Sequence, residues 1–323
     1  MSRRDGRTAG GSTDAEVAAG AGMGTHGAGM GTDSASDAEA ALRAGAGAGV
    51  NAGREPPTPG SRRTRRAFPL ALGIAGVALV LLVALPVLAI VLGTSPGSVS
   101  AALGDHDVRW SLWVTVMSAL IATGVGLLLG VPLAYLLARR RFPGKGLVEG
   151  LIDLPIVLPH TAAGVALLVV YGHDGILGRL LAPLGISFTD AMPGIVVAMM
   201  FVSVPFLVDT AKEAFVAVDH RYEQVARTLG VTQAMAFWRV ALPLAWRGVL
   251  AGAVMMWARG ISEFGAVVIL AYNPKIIPTL VYERFEAFGL KAAEPVALIV
   301  IVVALVVFVA LRALLSPRAR ERR

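Results

Sequence analysis

The chain has 323 residues, of which 55% are hydrophobic and 16% charged, with mean hydropathy +0.68 and formal net charge +7. Soluble domains carry about 25% charged residues, so this composition points to a bilayer. The absence of cysteine excludes disulfides, iron–sulfur clusters and thiolate metal sites, and the five histidines (His26, His106, His160, His173, His220) stand at no metal-ligand spacing.

Residues 1–66 are dominated by Gly, Ala, Ser and Thr, and Ala-Gly-Met-Gly-Thr occurs at 21–25 and again at 28–32. Such a segment cannot bury enough apolar surface to offset its ordering entropy, so a disordered cytoplasmic tail is expected. It does not read as a secretory signal, because the first apolar run begins only after residue 66. Met23 and Met30 are alternative initiators.

The expected membrane domain covers 67–316, followed by a basic tail at 317–323. About 18 apolar residues suffice to cross a hydrocarbon core about 30 Å thick. Six runs meet that length: 68–92, 112–138, 154–171, 191–208, 248–272 and 295–315. None alternates with period two, which argues against a lipid-facing barrel. The fold class is therefore all-α, a polytopic bundle of six transmembrane helices.

Alternate flanks of these runs differ in charge. One set holds Arg62, Arg63, Arg65 and Arg66, then Arg139, Arg140, Arg141 and Lys145, then Lys212, Arg221, Arg227, Arg239 and Arg247, and finally Arg318, Arg320, Arg322 and Arg323. The opposite set holds only Arg109, Arg179, Lys275, Arg284 and Lys291, mixed with acidic residues. The basic side is expected to be cytoplasmic, which places both termini and the 212–247 loop there. Ala122, Gly126, Gly130 and Ala134 form a small-residue ridge, and Gly248 and Gly252 another, suited to close helix packing.

The 212–247 loop is too polar for membrane. Asp219 is the expected N-cap of a helix through Leu229, with Glu223 in its first turns. Gly230 can take the left-handed conformation that ends the helix. A second amphipathic turn (Ala234, Phe237, Trp238, Val240, Ala241) follows, and Pro243 is expected to stop or kink it. Val225, Ala226 and Leu229 make an apolar stripe beside charged Glu223 and Arg227, a pattern that suits a partner's groove. A helix lying on lipid headgroups would show the same amphipathicity.

The spacing resolves that choice. Tyr222-Glu223-Gln224-Val225-Ala226-Arg227-Thr228-Leu229-Gly230, followed ten residues on by Val240-Ala241-Leu242-Pro243, resembles the coupling loop of ATP-binding-cassette importer permeases. Their pattern is Glu-Ala-Ala, three residues, Gly, nine residues, then Ile-x-Leu-Pro. The family's Glu-Ala-Ala falls here on Gln224-Val225-Ala226, with Glu223 one place earlier. The resemblance covers 110–315 and implies the MetI-like permease fold. It implies ATPase-coupling roles for Glu223, Gln224, Ala226, Gly230, Val240, Leu242 and Pro243. It also implies a homodimer, two separate ATPase subunits that hold ATP and magnesium, an extracytoplasmic solute-binding protein, contact with membrane lipid and no nucleic acid. No catalytic residue, cofactor or metal is expected in the chain itself, and Gly144-Lys145 lacks the other residues of a phosphate-binding loop.

Arg259 and Glu263, near the middle of the fifth run, are spaced to pair on one helix face. Together with Ser262 they are candidates for a pathway or gate, the alternative being a pair that only pins two helices. The segment from Arg259 to Val267 (Arg-Gly-Ile-Ser-Glu-Phe-Gly-Ala-Val), with Asp153-Leu154-Pro155 and the segment from Thr279 to Arg284, is similar to permeases of the molybdate/tungstate group. Sulfate/thiosulfate permeases share much of it and remain the alternative. The segment 272–294 is expected to help receive the binding protein, the alternative being a re-entrant or surface-packed helix. A secondary carrier fits less well, since Glu263 is the only acidic residue deep in a run. A membrane enzyme would need clustered nucleophiles, metal ligands or carboxylate pairs, and the sequence offers none.

Overall fold

The computed structural model describes residues 60–315, with side chains from 72 to 309; the 1–59 part of the expected tail and the end from 316 lie outside the described residues. The order of helices is α1 (Gly60–Gly93), α2 (Pro96–Gly104), α3 (His106–Arg139), α4 (Lys145–Val157), α5 (His160–Tyr171), α6 (Ile176–Leu181) and α7 (Met192–Ala217). Then come α8 (Arg221–Thr228), α9 (Gln233–Ala236), a π-helical turn (Phe237–Ala241), α10 (Leu242–Ile261), α11 (Gly265–Leu270), α12 (Ile277–Phe288) and α13 (Leu290–Leu315). No strand occurs among the described residues.

Five helical stretches are long and apolar enough to cross a membrane: Leu72–Gly93, His106–Arg139, Met192–Ala217, Gln233–Ile261 and Leu290–Val309. The pair α4–α5 meets the same criterion only as one span bent by 118°. Contact density divides the chain inside α1, after Ala75. The stretch Leu72–Gly93 has mean hydropathy 3.0, and none of its residues is fully buried. Lipid accepts an all-apolar helix on every side, so such a helix needs no packed face.

The centre is α7 flanked by α3 and α10, and small side chains bring them together. A Cβ on Gly130 would come within 3.2 Å of Val208, and one on Gly252 within 3.1 Å of the Leu207 carbonyl. At Gly248 the Ala214 methyl occupies the space outright. Both small-residue ridges therefore serve packing within the chain. Around them lie two apolar clusters, one built on Leu137, Phe215 and Phe237 and the other on Ile195, Met199 and Val267.

Several boundaries differ from those read off hydropathy. The third run is not one straight helix. Pro159 has no N–H and holds Leu158 extended, so α4 ends at Val157 and α5 starts afresh at His160. The fourth run does not end at 208: α7 continues to Ala217, because Lys212 finds Glu149 at 3.2 Å and Asp209 at 3.4 Å. Charges end a hydropathy window without ending a helix. The fifth run does not reach 272 as one helix but stops at Ile261 and resumes at Gly265. Pro243 does not stop the chain either. A π-helical turn precedes it, with the Leu242 N–H bonding five residues back to the Phe237 carbonyl, and the chain continues as one stretch from Gln233 to Ile261.

Candidate coupling loop and charge cluster

The loop after α7 folds as the expected helix, break and second turn. The N-cap position of α8 falls on His220 and not on Asp219 as expected; Asp219, two residues before the helix, accepts the Arg221 N–H at 2.9 Å. At the other end Gly230 has φ 86°, the Gly230 N–H bonds to the Arg227 carbonyl, and the Val231 N–H reaches back to Ala226. That is a glycine-terminated helix end with its last carbonyls satisfied.

Glu223 faces its own chain. Its Oε2 accepts the Tyr135 hydroxyl at 2.5 Å and its Oε1 accepts Nε of Arg139 at 2.8 Å. Arg139 also donates to the Val218 carbonyl at 2.9 Å. The two charged side chains are 8% and 3% exposed. Removing one partner of a buried pair costs about 3–5 kcal/mol, since the other is left uncompensated. Beside the pair, the Tyr135 ring packs at 4.7 Å on Phe237 and 5.4 Å on Phe215, and Arg140 donates to Gln233 at 2.7 Å. The loop is thus fastened to the end of α3 at three points.

Turning Glu223 inward turns Val225 and Leu229 of the expected stripe outward beside Tyr222, all three exposed, while Ala226 goes with Glu223 and is half-buried. Of the other expected coupling residues, Gln224 and Pro243 are exposed, and Ala226, Val240 and Leu242 are half-buried. Gln224, Arg227, Gly230 and Gln233 line an open depression beside α8.

The second site lies where two helix breaks meet. Gly260, one residue past Arg259, packs near Met199, Ala119 and Ser203. Met199 is seven residues into α7, so this level lies about 10 Å inside that end of the bundle. Glu263 is buried here at 1% exposure and lies 3.1 Å from Arg259 Nη2. Its Oε1 accepts the Ala266 N–H at 2.9 Å, which caps α11. The pairing of Arg259 and Glu263 expected from their spacing is therefore present, but at the end of α10 instead of inside a continuous span.

Sequence reasoning missed the third member, His160, 99 residues away on the break between α4 and α5. Its Nε2 lies 2.9 Å from Arg259 Nη2, and its Nδ1 lies 3.6 Å from Glu263 Oε2. Because arginine only donates, Nε2 is the acceptor in this contact, which assigns the neutral tautomer with its proton on Nδ1, toward the carboxylate. The Ser262 hydroxyl is exposed, donates to the Arg259 carbonyl at 2.9 Å and receives Arg259 Nη1 at 3.3 Å. The two breaks are pressed together. A Cβ on Gly265 would lie 2.7 Å from the His160 Cβ, and one on Gly164 2.8 Å from the Ile269 Cβ. The only signal for His160 was a polar residue following a proline inside an apolar run. For Tyr135 and Arg139 it was a basic run at a helix end.

At the end of the bundle opposite the loop, Arg284 of α12 donates to Asp105, which also accepts the Asp107 N–H at 2.8 Å. The Asp107 N–H first, and Arg284 second, hold the Asp105 carboxyl below the usual carboxylate range. The bond to Glu283 raises the Lys275 ammonium above its ordinary value. Helix α12 buries Ile277, Thr279 and Leu280 while Tyr282, Phe285 and Phe288 stay exposed, so 272–294 includes a surface-packed helix.

Residues 126–321 match the family model described as the binding-protein-dependent transport system inner membrane component. The chain is 45% identical over 205 residues to the molybdate/tungstate transport system permease protein WtpB of Thermococcus kodakarensis, covering 64% of this chain and 76% of that protein. It is 36% identical over 197 residues to the sulfate transport system permease protein CysT of Synechocystis sp., covering 60% and 69%. Its fold matches a crystal structure of a bacterial ABC transporter involved in the import of the acidic polysaccharide alginate, with TM-score 0.59 at 15% identity over 79% of this chain and 97% of that one. The chain therefore belongs to the binding-protein-dependent transport system inner membrane component family, the permeases of ATP-binding-cassette importers.

Proposed function

We propose that this chain is the permease subunit of an ATP-driven importer of molybdate and tungstate. It pairs with a second copy of itself, receives the anion from an extracytoplasmic binding protein, and is driven by two ATPase subunits that hold ATP and magnesium. Both termini and the 212–247 loop face the cytoplasm in this reading, on the side where positive residues concentrate. The observation that carries it is the inward-turned Glu223, which fixes α8 to α3 and leaves Tyr222, Val225 and Leu229 facing out. A fastened helix with a bare apolar face can both receive a motor and transmit its displacement to the bundle.

Arg259, Ser262 and Glu263 line the path or its gate. A charge at this depth facing hydrocarbon costs about 2.5–3.5 kcal/mol on insertion scales, which favours a water-filled path or a facing subunit. The substrate rests on the relatives, of which the molybdate/tungstate permease is 45% identical. Sulfate is the second reading, supported by the 36% identity to a sulfate permease. Reconstitution of the permease with its ATPase and binding protein tests both. ATP-dependent uptake of molybdate and tungstate, with sulfate at least tenfold slower, is expected. Uptake of sulfate alone would replace the substrate, and uptake without any ATPase would overturn the mechanism.

A further inference from the structure

Resting on the reading of this chain as an oxyanion permease, we infer that the junction of the two helix breaks is an anion-contact site, in which Arg259 and Ser262 donate to the transported oxyanion and Glu263 and His160 hold the guanidinium in place. The argument is one of geometry. Glu263 lies underneath at 1% exposure, with one oxygen committed to the Ala266 N–H and the other to Arg259. Arg259 is 23% exposed and His160 48% exposed, and the exposed Ser262 hydroxyl beside them donates to the Arg259 carbonyl at 2.9 Å, a bond that a bound anion would replace. The acceptor is buried and the donors face out, as an anion requires. A guanidinium has five N–H groups in a rigid fork, and its carboxylate, serine and histidine contacts here use only Nη1 and Nη2, so donors remain for a tetrahedral oxyanion.

Electrostatics set how tightly the site holds. With Glu263 ionised, the Arg259–Glu263 pair is neutral, so a divalent anion meets oriented donors and no net positive charge. Binding is then weak, which suits a contact that must release its ligand. His160 steadies this arrangement from the opposite break. Its Nε2 accepts from Arg259, and Gly265 leaves the room that lets the two backbones approach.

Because the chain has no cysteine, a single one can report occupancy directly. Ser262→Cys in the reconstituted complex with its ATPase and binding protein should react with a negatively charged thiol reagent. Transport-level molybdate should slow that labelling at least threefold, and the protection should vanish when Arg259→Gln is added. In the native background, Arg259→Gln should cut molybdate uptake at least tenfold, and Arg259→Lys, which keeps a cation beside the buried Glu263, should restore part of it. Undiminished uptake in Arg259→Gln, or labelling at Ser262→Cys that molybdate does not slow, overturns the site. Should Arg259→Gln fail to assemble, the protection measured at Ser262→Cys alone decides. A wild-type complex that moves no oxyanion at all would defeat the functional reading; normal transport with no protection defeats only this site.

Discussion

Two glutamates of this chain are buried and each is paired with an arginine, yet their surroundings differ. Glu223 joins α8 to Arg139 and Tyr135 of α3, and both charged side chains are sealed from solvent. Glu263 is sealed as tightly and, like Glu223 with His220, has a half-exposed histidine beside it in His160, but its partner Arg259 is 23% exposed where Arg139 is 8%. The first pair joins elements far apart in sequence, and its burial keeps the arginine's remaining donors away from any ligand. The second spans two discontinuities and keeps donors unspent. One is a fastening and the other a contact surface, although both are the same two residue types in the same kind of burial.

Breaking the fastening has the largest expected effect. Glu223→Ala should leave Arg139 buried and unpaired, lower stability by about 3–5 kcal/mol and abolish uptake. Replacing both residues, as Glu223→Leu with Arg139→Leu, should recover most of the stability but not the coupling. Thermal unfolding in detergent and ATP-dependent uptake would separate the two, and a single variant as stable as wild type would remove the fastening from the account. Next in size is Gly265→Val at the contact surface. Its branches would collide with His160 and separate the two breaks, reducing uptake about tenfold while ATPase binding, measured by co-purification, stays intact.

A smaller effect on the fold, confined to the partner interface, is expected from Leu229→Asp. The side chain is exposed, so stability should change by no more than about 0.5 kcal/mol, while the ATPase should be lost on gentle purification. Retention of the ATPase would return α8 to the lipid surface. Gly230→Pro should uncouple for a different reason, since proline cannot adopt the left-handed conformation at φ 86°.

The smallest effect concerns the external pair of Asp105 with Arg284. The carboxyl titrates lower in the folded chain than in the unfolded one, so its contribution is complete above the ordinary carboxylate range near pH 4 and is lost as pH falls through the lowered value. Asp105→Asn should therefore be slightly less stable than wild type at neutral pH. The two should converge once pH has fallen below the lowered value, as followed by thermal unfolding on acidification.

The sequence by itself determined the class of the molecule. Hydropathy located the membrane-crossing regions because lipid demands length and apolarity and little else. Charge bias and the spacing from Glu223 through Gly230 to Pro243 identified the loop, since helix ends and breaks are written locally in cap residues and glycine. What tertiary structure alone decided is which way each charge faces and whom it meets. Glu223 reads as a surface charge beside an apolar stripe, and its burial depends on Tyr135 and Arg139, 88 and 84 residues away. His160 looked like an isolated polar residue until the proline before it broke one span and the end of α10 broke another at the same depth. Hydropathy windows average over such breaks, and ion pairs are fixed by distance in space, which a linear pattern does not carry.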